Sequence, residues 1–337
     1  MEFQLPINLP ALQRPLGYQD RILLIGSCFT EHIGNKLQEL KFQVLQNPNG
    51  ILFDPASVAS ALVSYTHNLA YQTEDLFLLN EVYQSWQHHS RFSAIDTKAC
   101  LQKINQAQQA AHAFLKTATC VIVTLGSSFS YRLTEQAIHT RNNHSGSPVA
   151  NCHRAPAQWF TKYLLPIEET NAVLDNCVHQ LRHFNPSLQI IFTISPVRHI
   201  RDGVVENNRS KARLLEVVHN LTGKFDGLHY FPAYELVIDV LRDYRFYDID
   251  LVHPNYAATE YVMQQFITTA VDGPSRQLME EVRKIVVARN HRAFQPATQA
   301  HQKFLSAHLE KARQLQAQYP LLDLSGEINY FAMAAAG

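Results

Sequence analysis

Arg21-Ile22-Leu23-Leu24-Ile25-Gly26-Ser27-Cys28-Phe29-Thr30 is the stretch that decides the fold. Residues 22–25 are apolar, with β-branched Ile22 and Ile25 at the two ends, and are too few for a helix core; Gly26 punctuates the run. Beyond it Phe29, Ile33, Leu37 and Leu40 recur at helical spacing. The chain is therefore expected to leave a buried strand, turn at Ser27-Cys28 and enter a helix. A hydroxyl or thiol at such a turn sits beside a helix N-terminus, where free N–H groups and the dipole favour a developing anion. A serine there is also an ordinary helix N-cap, so the turn alone does not establish chemistry.

A second stretch supplies the missing partner. Asp250-Leu251-Val252-His253-Pro254 precedes an amphipathic run containing Tyr256, Tyr261, Val262, Phe266 and Ile267. A histidine three residues after an aspartate can donate from one ring nitrogen to the carboxylate. Its other nitrogen is then free to take a proton from a nucleophile. Asp250 as orienter, His253 as base and Ser27 or Cys28 as nucleophile make the catalytic candidates.

Between these stretches, strand and helix patterns alternate, as in a largely parallel sheet covered on both faces. The pattern predicts strands at about 21–25, 42–45, 119–125, 189–194 and 229–231, with helices reaching Leu40, from Pro55, over Thr97–Leu115, over Ile167–Phe184 and around Lys211–Leu221. Residues 72–95, rich in aromatics and histidine, read as an insertion or hairpin, and a long loop is expected through Asn142–Pro148. After residue 272 the pattern becomes purely helical. The expected organisation is a catalytic domain over 1–272 and a helical extension over 273–337 that docks on the domain or on a second subunit.

Composition narrows the class. Of the 337 residues, 29 are basic and 29 acidic, so no charge excess points to nucleic acid or an anionic membrane. No apolar run reaches membrane length and the N-terminus has no signal-peptide pattern, so a cytoplasmic location is expected. The five cysteines have no metal-ligand spacing and fit free thiols in a reducing compartment. The 17 histidines are scattered. No metal or cofactor is expected, and Gly26 has no G-x-G-x-x-G companions for a dinucleotide.

Gly26-Ser27-Cys28-Phe29, with Thr30 as the next residue, resembles the name motif of the GSCFA family within the SGNH/GDSL hydrolase superfamily. Asn47-Pro48-Asn49-Gly50, Asn151-Cys152-His153, Ser195-Pro196-Val197-Arg198-His199 and Tyr244-Arg245-Phe246-Tyr247 resemble the family too, and the likeness spans about residues 3–270. It implies a three-layer α/β/α fold and acyl-ester chemistry. Aligning Gly26 and Phe29 with the superfamily's G-D-S pattern puts Cys28 in the nucleophile slot, although serine is the superfamily's dominant choice. Both residues stay open.

The likeness also implies an oxyanion hole. Gly50 matches the second-block glycine. The third block, normally G-x-N-D, reads Gly126-Ser127-Ser128-Phe129, so its amide is missing and Asn151 is the candidate replacement. Gly126, Ser128, His153, Arg198 and His199 are candidates for the substrate pocket. The expected activity is hydrolysis of a small acyl ester, such as acetyl on a carbohydrate or similar alcohol. The alternatives are acyl transfer from a thioester to a glycan, or an inactive binding protein of the same fold.

Overall fold

The computed structural model describes residues 5–336. β1 (Arg21–Gly26) leads to α1 (Cys28–Glu39), β2 (Gln43–Gln46) and α2 (Pro55–His67). A hairpin of β3 (Phe77–Leu79) and β4 (Val82–Gln84) precedes α3 (Thr97–Thr117) and β5 (Cys120–Leu125). A second insertion carries β6 (Phe129–Leu133), β7 (Pro148–Val149) and β8 (Phe160–Leu164). Then come α4 (Ile167–Phe184), β9 (Gln189–Ile194), α5 (Val204–Lys224) and β10 (Leu228–Phe231). A short α6 (Ala233–Glu235) runs into a π-helical turn at Leu236–Leu241. Four helices follow: α7 (Tyr256–Ala270), α8 (Gly273–Asn290), α9 (Gln299–Gln318) and α10 (Ser325–Ala336).

Five strands form one parallel sheet in the order β10-β9-β5-β1-β2. The chain winds outward from β1 to β2, then returns to the far side of β1 for β5. The carboxyl ends of β1 and β5 thus flank the point where the winding reverses, which is where open α/β sheets place ligands. Ser27 and Gly126 are the residues immediately after those two ends.

Period-two alternation assigns each strand residue to a face. Ile22 and Leu24 point into the core shared with α1, α7, α8, α9 and α10, whereas Leu23 and Ile25 point into the core shared with α2, α3, α4 and α5. This is a three-layer α/β/α sandwich, as the alternating pattern predicts. Both faces of the sheet are covered, which is why β1 and β5 read as continuous apolar runs.

The insertions form an accessory layer around Trp86, which is fully buried, stacks on Phe77 at 3.7 Å and donates its indole N–H to Ile138 O at 3.0 Å. Residues 142–147 are loop, as expected, but the antiparallel sheet β7-β6-β8 lies on both sides of them. The carboxyl-terminal helices pack on their own chain: Val282, Ile285, Leu305, Ala312 and Phe331 join the core beneath α1 and α7. Buried Glu327 of α10 meets Lys41 at 2.7 Å and Arg289 at 2.8 Å, which supplies the counter-charges that a buried carboxylate needs. None of the helices among the described residues is long and apolar enough to cross a membrane.

Candidate active site

Gly26 ends β1 at φ +141°, and a Cβ there would lie 2.0 Å from Thr124 O on β5. Only glycine permits both that conformation and that approach. It lets the chain pivot so that Ser27 occupies the N-cap position of α1 and Cys28 its first turn. The two candidate nucleophiles then diverge. Ser27 is 1% exposed, and its hydroxyl caps nothing and has no partner among the described residues. Cys28 is half-buried and therefore within reach of a substrate.

Several forces act on the Cys28 thiol. Burial pushes its pKa up, while the N–H groups of Phe29 and Cys28 and the charge of Lys211 pull it down, with Glu31 opposing them. The net direction is upward, so the resting group is a thiol and needs a base to become a nucleophile.

That base is available on the same edge. Val252 O accepts the Arg198 N–H at 3.2 Å, which holds the 250–253 loop against the segment following β9. His253 Nδ1 lies 2.6 Å from Asp250 Oδ2, and Asp250 Oδ1 accepts the His253 and Val252 N–H groups at 3.0 and 2.9 Å. These bonds hold the Asp250 pKa down at about 2, with the two from His253 leading. An ionised carboxylate on Nδ1 fixes the tautomer in which Nε2 is the free acceptor. The His253 loop lies close enough to His32 of α1 and to His199 for its charge to bear on both rings.

Arg198 supports this loop from beneath. It donates to Leu251 O at 3.1 Å and lies over the Tyr247 ring at 4.0 Å. Leu251 adopts φ +58°, so the loop is bent at a residue that does not favour that conformation. Arg198 thus acts on the loop that carries His253.

His199 lies closer to the nucleophile turn. A Cβ on Gly126 would be 3.3 Å from His199 Nε2, 3.3 Å from Phe53 O and 3.3 Å from Ser27 Cβ. The His199 ring meets Phe53 edge-on at 5.6 Å, and its Nε2 is buried without a partner. Burial, then the charges of Lys211, His253 and Lys162, push its pKa down to about 3.

The other expected pocket residues have different surroundings. The Gly50 N–H donates to Asn47 O at 2.8 Å within its own turn and is not free for an oxyanion. Ser128 is fully buried; its N–H and hydroxyl bond Ser210 Oγ and O at 2.7 and 3.0 Å, so it ties the β5 turn to α5 and lines no pocket. Asn151 Oδ1 accepts the His153 N–H at 2.8 Å. His153 is buried against Phe77 and Trp86 with Nε2 on Ser85 O at 2.8 Å, inside the accessory layer. Among the described residues neither Asn151 nor His153 bonds the Ser27-Cys28 turn.

Lys211 was not among the sequence candidates. It is buried on α5, donating to Gly126 O at 2.5 Å and Ser195 O at 2.6 Å, across the ends of β5 and β9. No carboxylate pairs with it, and burial brings its pKa down to about 7 while Cys28 pulls it back up. A signal existed: Lys211 shares the apolar stripe of Leu214, Val218 and Leu221, where a solvated lysine does not belong. Among the described residues no three His, Cys, Asp or Glu side chains come together as a metal site.

Comparison with known proteins adds the following. The GSCFA family model matches residues 21–266, and that of the GSCFA domain protein C-terminal domain matches residues 282–334. No curated protein matches the sequence. Among solved structures, the chain is similar to a carbohydrate esterase family 3 protein from Talaromyces cellulolyticus, at 8% identity and a TM-score of 0.36, over 79% of this chain and 99% of that one. It is also similar to an acetyl xylan esterase from the rumen bacterium Butyrivibrio proteoclasticus, at 12% identity and a TM-score of 0.33, over 81% of this chain and 65% of that one.

Proposed function

The chain belongs to the GSCFA family, and from the geometry of its own residues we propose that it is an acyl-ester hydrolase with Cys28 as nucleophile, His253 as general base and Asp250 as orienter. One observation carries the reading: an Asp250–His253 pair at 2.6 Å, on a loop bonded to the segment that follows β9, occurs in a chain that also presents a thiol at the helix N-terminus following β1. The difference in exposure selects Cys28 over Ser27, because a hydroxyl 1% exposed cannot meet an ester without rearrangement.

The steps balance with these groups alone. His253 Nε2 takes the thiol proton as Sγ bonds the carbonyl carbon, and the carbonyl oxygen becomes an oxyanion. The oxyanion collapses, the C–O bond of the ester breaks, and the alcohol leaves with the proton from His253. Water then attacks the thioester with His253 as base, releasing the acid and restoring the thiol. The Cys28 N–H at the start of α1 and its dipole stabilise the oxyanion. Lys211 adds positive charge beneath the turn, which favours the sulfur anion as the proton leaves.

Two exposed aromatic side chains, Tyr244 and Tyr256, flank the His253 loop, and sugar rings stack on such faces. They support an acetylated carbohydrate or similar alcohol as substrate. The thiol also favours a second reading, acyl transfer, since a thioester intermediate yields its acyl group to an alcohol held in place of water. The test is release of acetate from p-nitrophenyl acetate and from peracetylated sugars. Activity that disappears in Cys28→Ala and persists in Ser27→Ala is expected. Turnover unaffected by Cys28→Ala overturns the assignment, and turnover seen only with an added alcohol acceptor favours transfer.

A further inference from the structure

Three features at the nucleophile turn leave the oxyanion short of donors. The third sequence block has no asparagine, Ser128 is bound to Ser210, and the Gly50 amide is engaged by Asn47. We propose that His199 fills that gap as a catalytic residue, its Nε2–H donating to the oxyanion formed on Cys28. The proposal rests on the hydrolase reading and names a group that reading does not require.

The geometry comes first. His199 Nε2 and Ser27 Cβ each lie 3.3 Å from the point a Gly126 Cβ would occupy, so the ring nitrogen is within twice that distance of the nucleophile turn. A side chain at position 126 would fill the gap they share. The nitrogen is buried yet has no partner among the described residues, which costs free energy unless a ligand atom supplies one. The backbone around it is ordered: Asn207 Oδ1 accepts the His199 N–H at 2.9 Å, and the ring rests on Phe53. The donor is therefore held in place before substrate arrives, as electrostatic stabilisation demands.

Charge state supports the role. The charged groups facing the ring are Lys211 from α5, Lys162 from β8 and His253 from its loop. All disfavour a second proton on the ring, so at neutral pH His199 is a neutral imidazole with one N–H. It can donate without competing with His253 for the thiol proton.

The test pairs turnover with a readout that needs none. Trifluoroacetone adds to a thiol to give a hemithioketal whose oxygen occupies the oxyanion position, and its fluorines report the adduct by NMR. Wild-type protein is expected to form the adduct on Cys28. His199→Ala should weaken it about a hundredfold and lower kcat by roughly 10²–10³, the usual cost of one oxyanion donor. KM should stay within about threefold, since the contact forms only in the transition state. His199→Gln keeps an N–H and should recover part of both losses; it carries the test if His199→Ala melts early. In ¹⁵N spectra His199 should be the neutral Nε2–H tautomer between pH 5 and 8 (about 1.5 units either side of the ordinary histidine value).

An adduct and a kcat indifferent to both substitutions overturn the proposal and leave the hydrolase reading intact. A loss confined to KM, or an unprotonated Nε2, also overturns it. A His199-dependent adduct without ester turnover sustains the donor and removes the hydrolase reading. Neither adduct nor turnover removes both, and fluorophosphonate labelling of Ser27 abolished by His199→Ala would replace the donor role with that of a base.

Discussion

The chain holds histidines in two opposite settings. On the 250–253 loop, His253 is 46% exposed, bonded to an ionised carboxylate and free at its second nitrogen. In the accessory layer, His88 and His153 are buried among Phe77, Trp86, Tyr71 and Phe92, each with a serine-85 atom as its bonded partner. Burial pushes their pKa values down to about 3 and about 4. Ring chemistry is identical in the two places. What differs is a carboxylate and access to water, and those decide whether a histidine moves protons or fills a core.

The comparison breaks most visibly at the nucleophile. Cys28→Ala should lower kcat by about 10⁴-fold or more, as loss of a covalent nucleophile does, with an unchanged melting curve. His253→Ala should cost about 10²–10⁴-fold, read from initial rates on p-nitrophenyl acetate. His153→Ala should do the reverse: activity per folded molecule is retained, while urea unfolding shows a loss of stability. Trp86→Ala, which removes the ring that His153 packs on, should destabilise by about 3–5 kcal/mol. A His153 variant that is inactive yet fully stable would put that residue back in the site.

Acid should expose the difference without mutation. His88, His153 and His199 have folded pKa values depressed below the unfolded value of about 6.5. Between that value and the folded ones the unfolded chain binds more protons, so stability falls as pH drops through this window. The melting temperature is expected to be lower at pH 5 than at pH 7.5 (either side of the unfolded value). His88→Phe should show a shallower decline, and an equal slope would mean that His88 is not held neutral. The smallest effect belongs to Arg198→Lys, which loses the geometry of the Leu251 bond. A kcat decrease of about fivefold is expected, the equivalent of one hydrogen bond of about 1 kcal/mol, with KM steady.

Local patterns were legible in the sequence and distant pairings were not. The helix Ile167–Phe184 and the strand Gln189–Ile194 fall where periodicity put them, because each is set by its own apolar spacing. The sheet β7-β6-β8 did not show itself: β6 pairs with β8 across a long intervening segment, and only tertiary packing on Trp86 makes the pairing pay. The π-helical turn and α10 were missed as well, the latter because its apolar residues run together without a clear polar face. At the site, the hydrogen bond between Asp250 and His253 was readable because three residues separate them. The expected amide at Gly50 failed because a turn hydrogen bond, which residue identity cannot reveal, occupies it. His199 was named as a pocket residue, yet the unpartnered nitrogen beside Gly126 is visible only in three dimensions.

Glu327 lies almost at the other end of the chain from the Gly26-Ser27-Cys28 motif, and it grips Lys41 just past the last turn of α1. The same helix begins at Cys28, so the final helix of the protein anchors the far end of the element that presents the thiol. A premature stop codon at Ser325 would leave every motif residue in the reading frame intact. It would also strip the carboxylate from between Lys41 and Arg289, leave both cations without that partner and uncover Phe331's place in the core. Genetically, the tail is therefore part of the address of the proposed site: truncation alleles should behave as loss-of-activity alleles, with soluble yield and melting temperature falling together before any chemistry is touched.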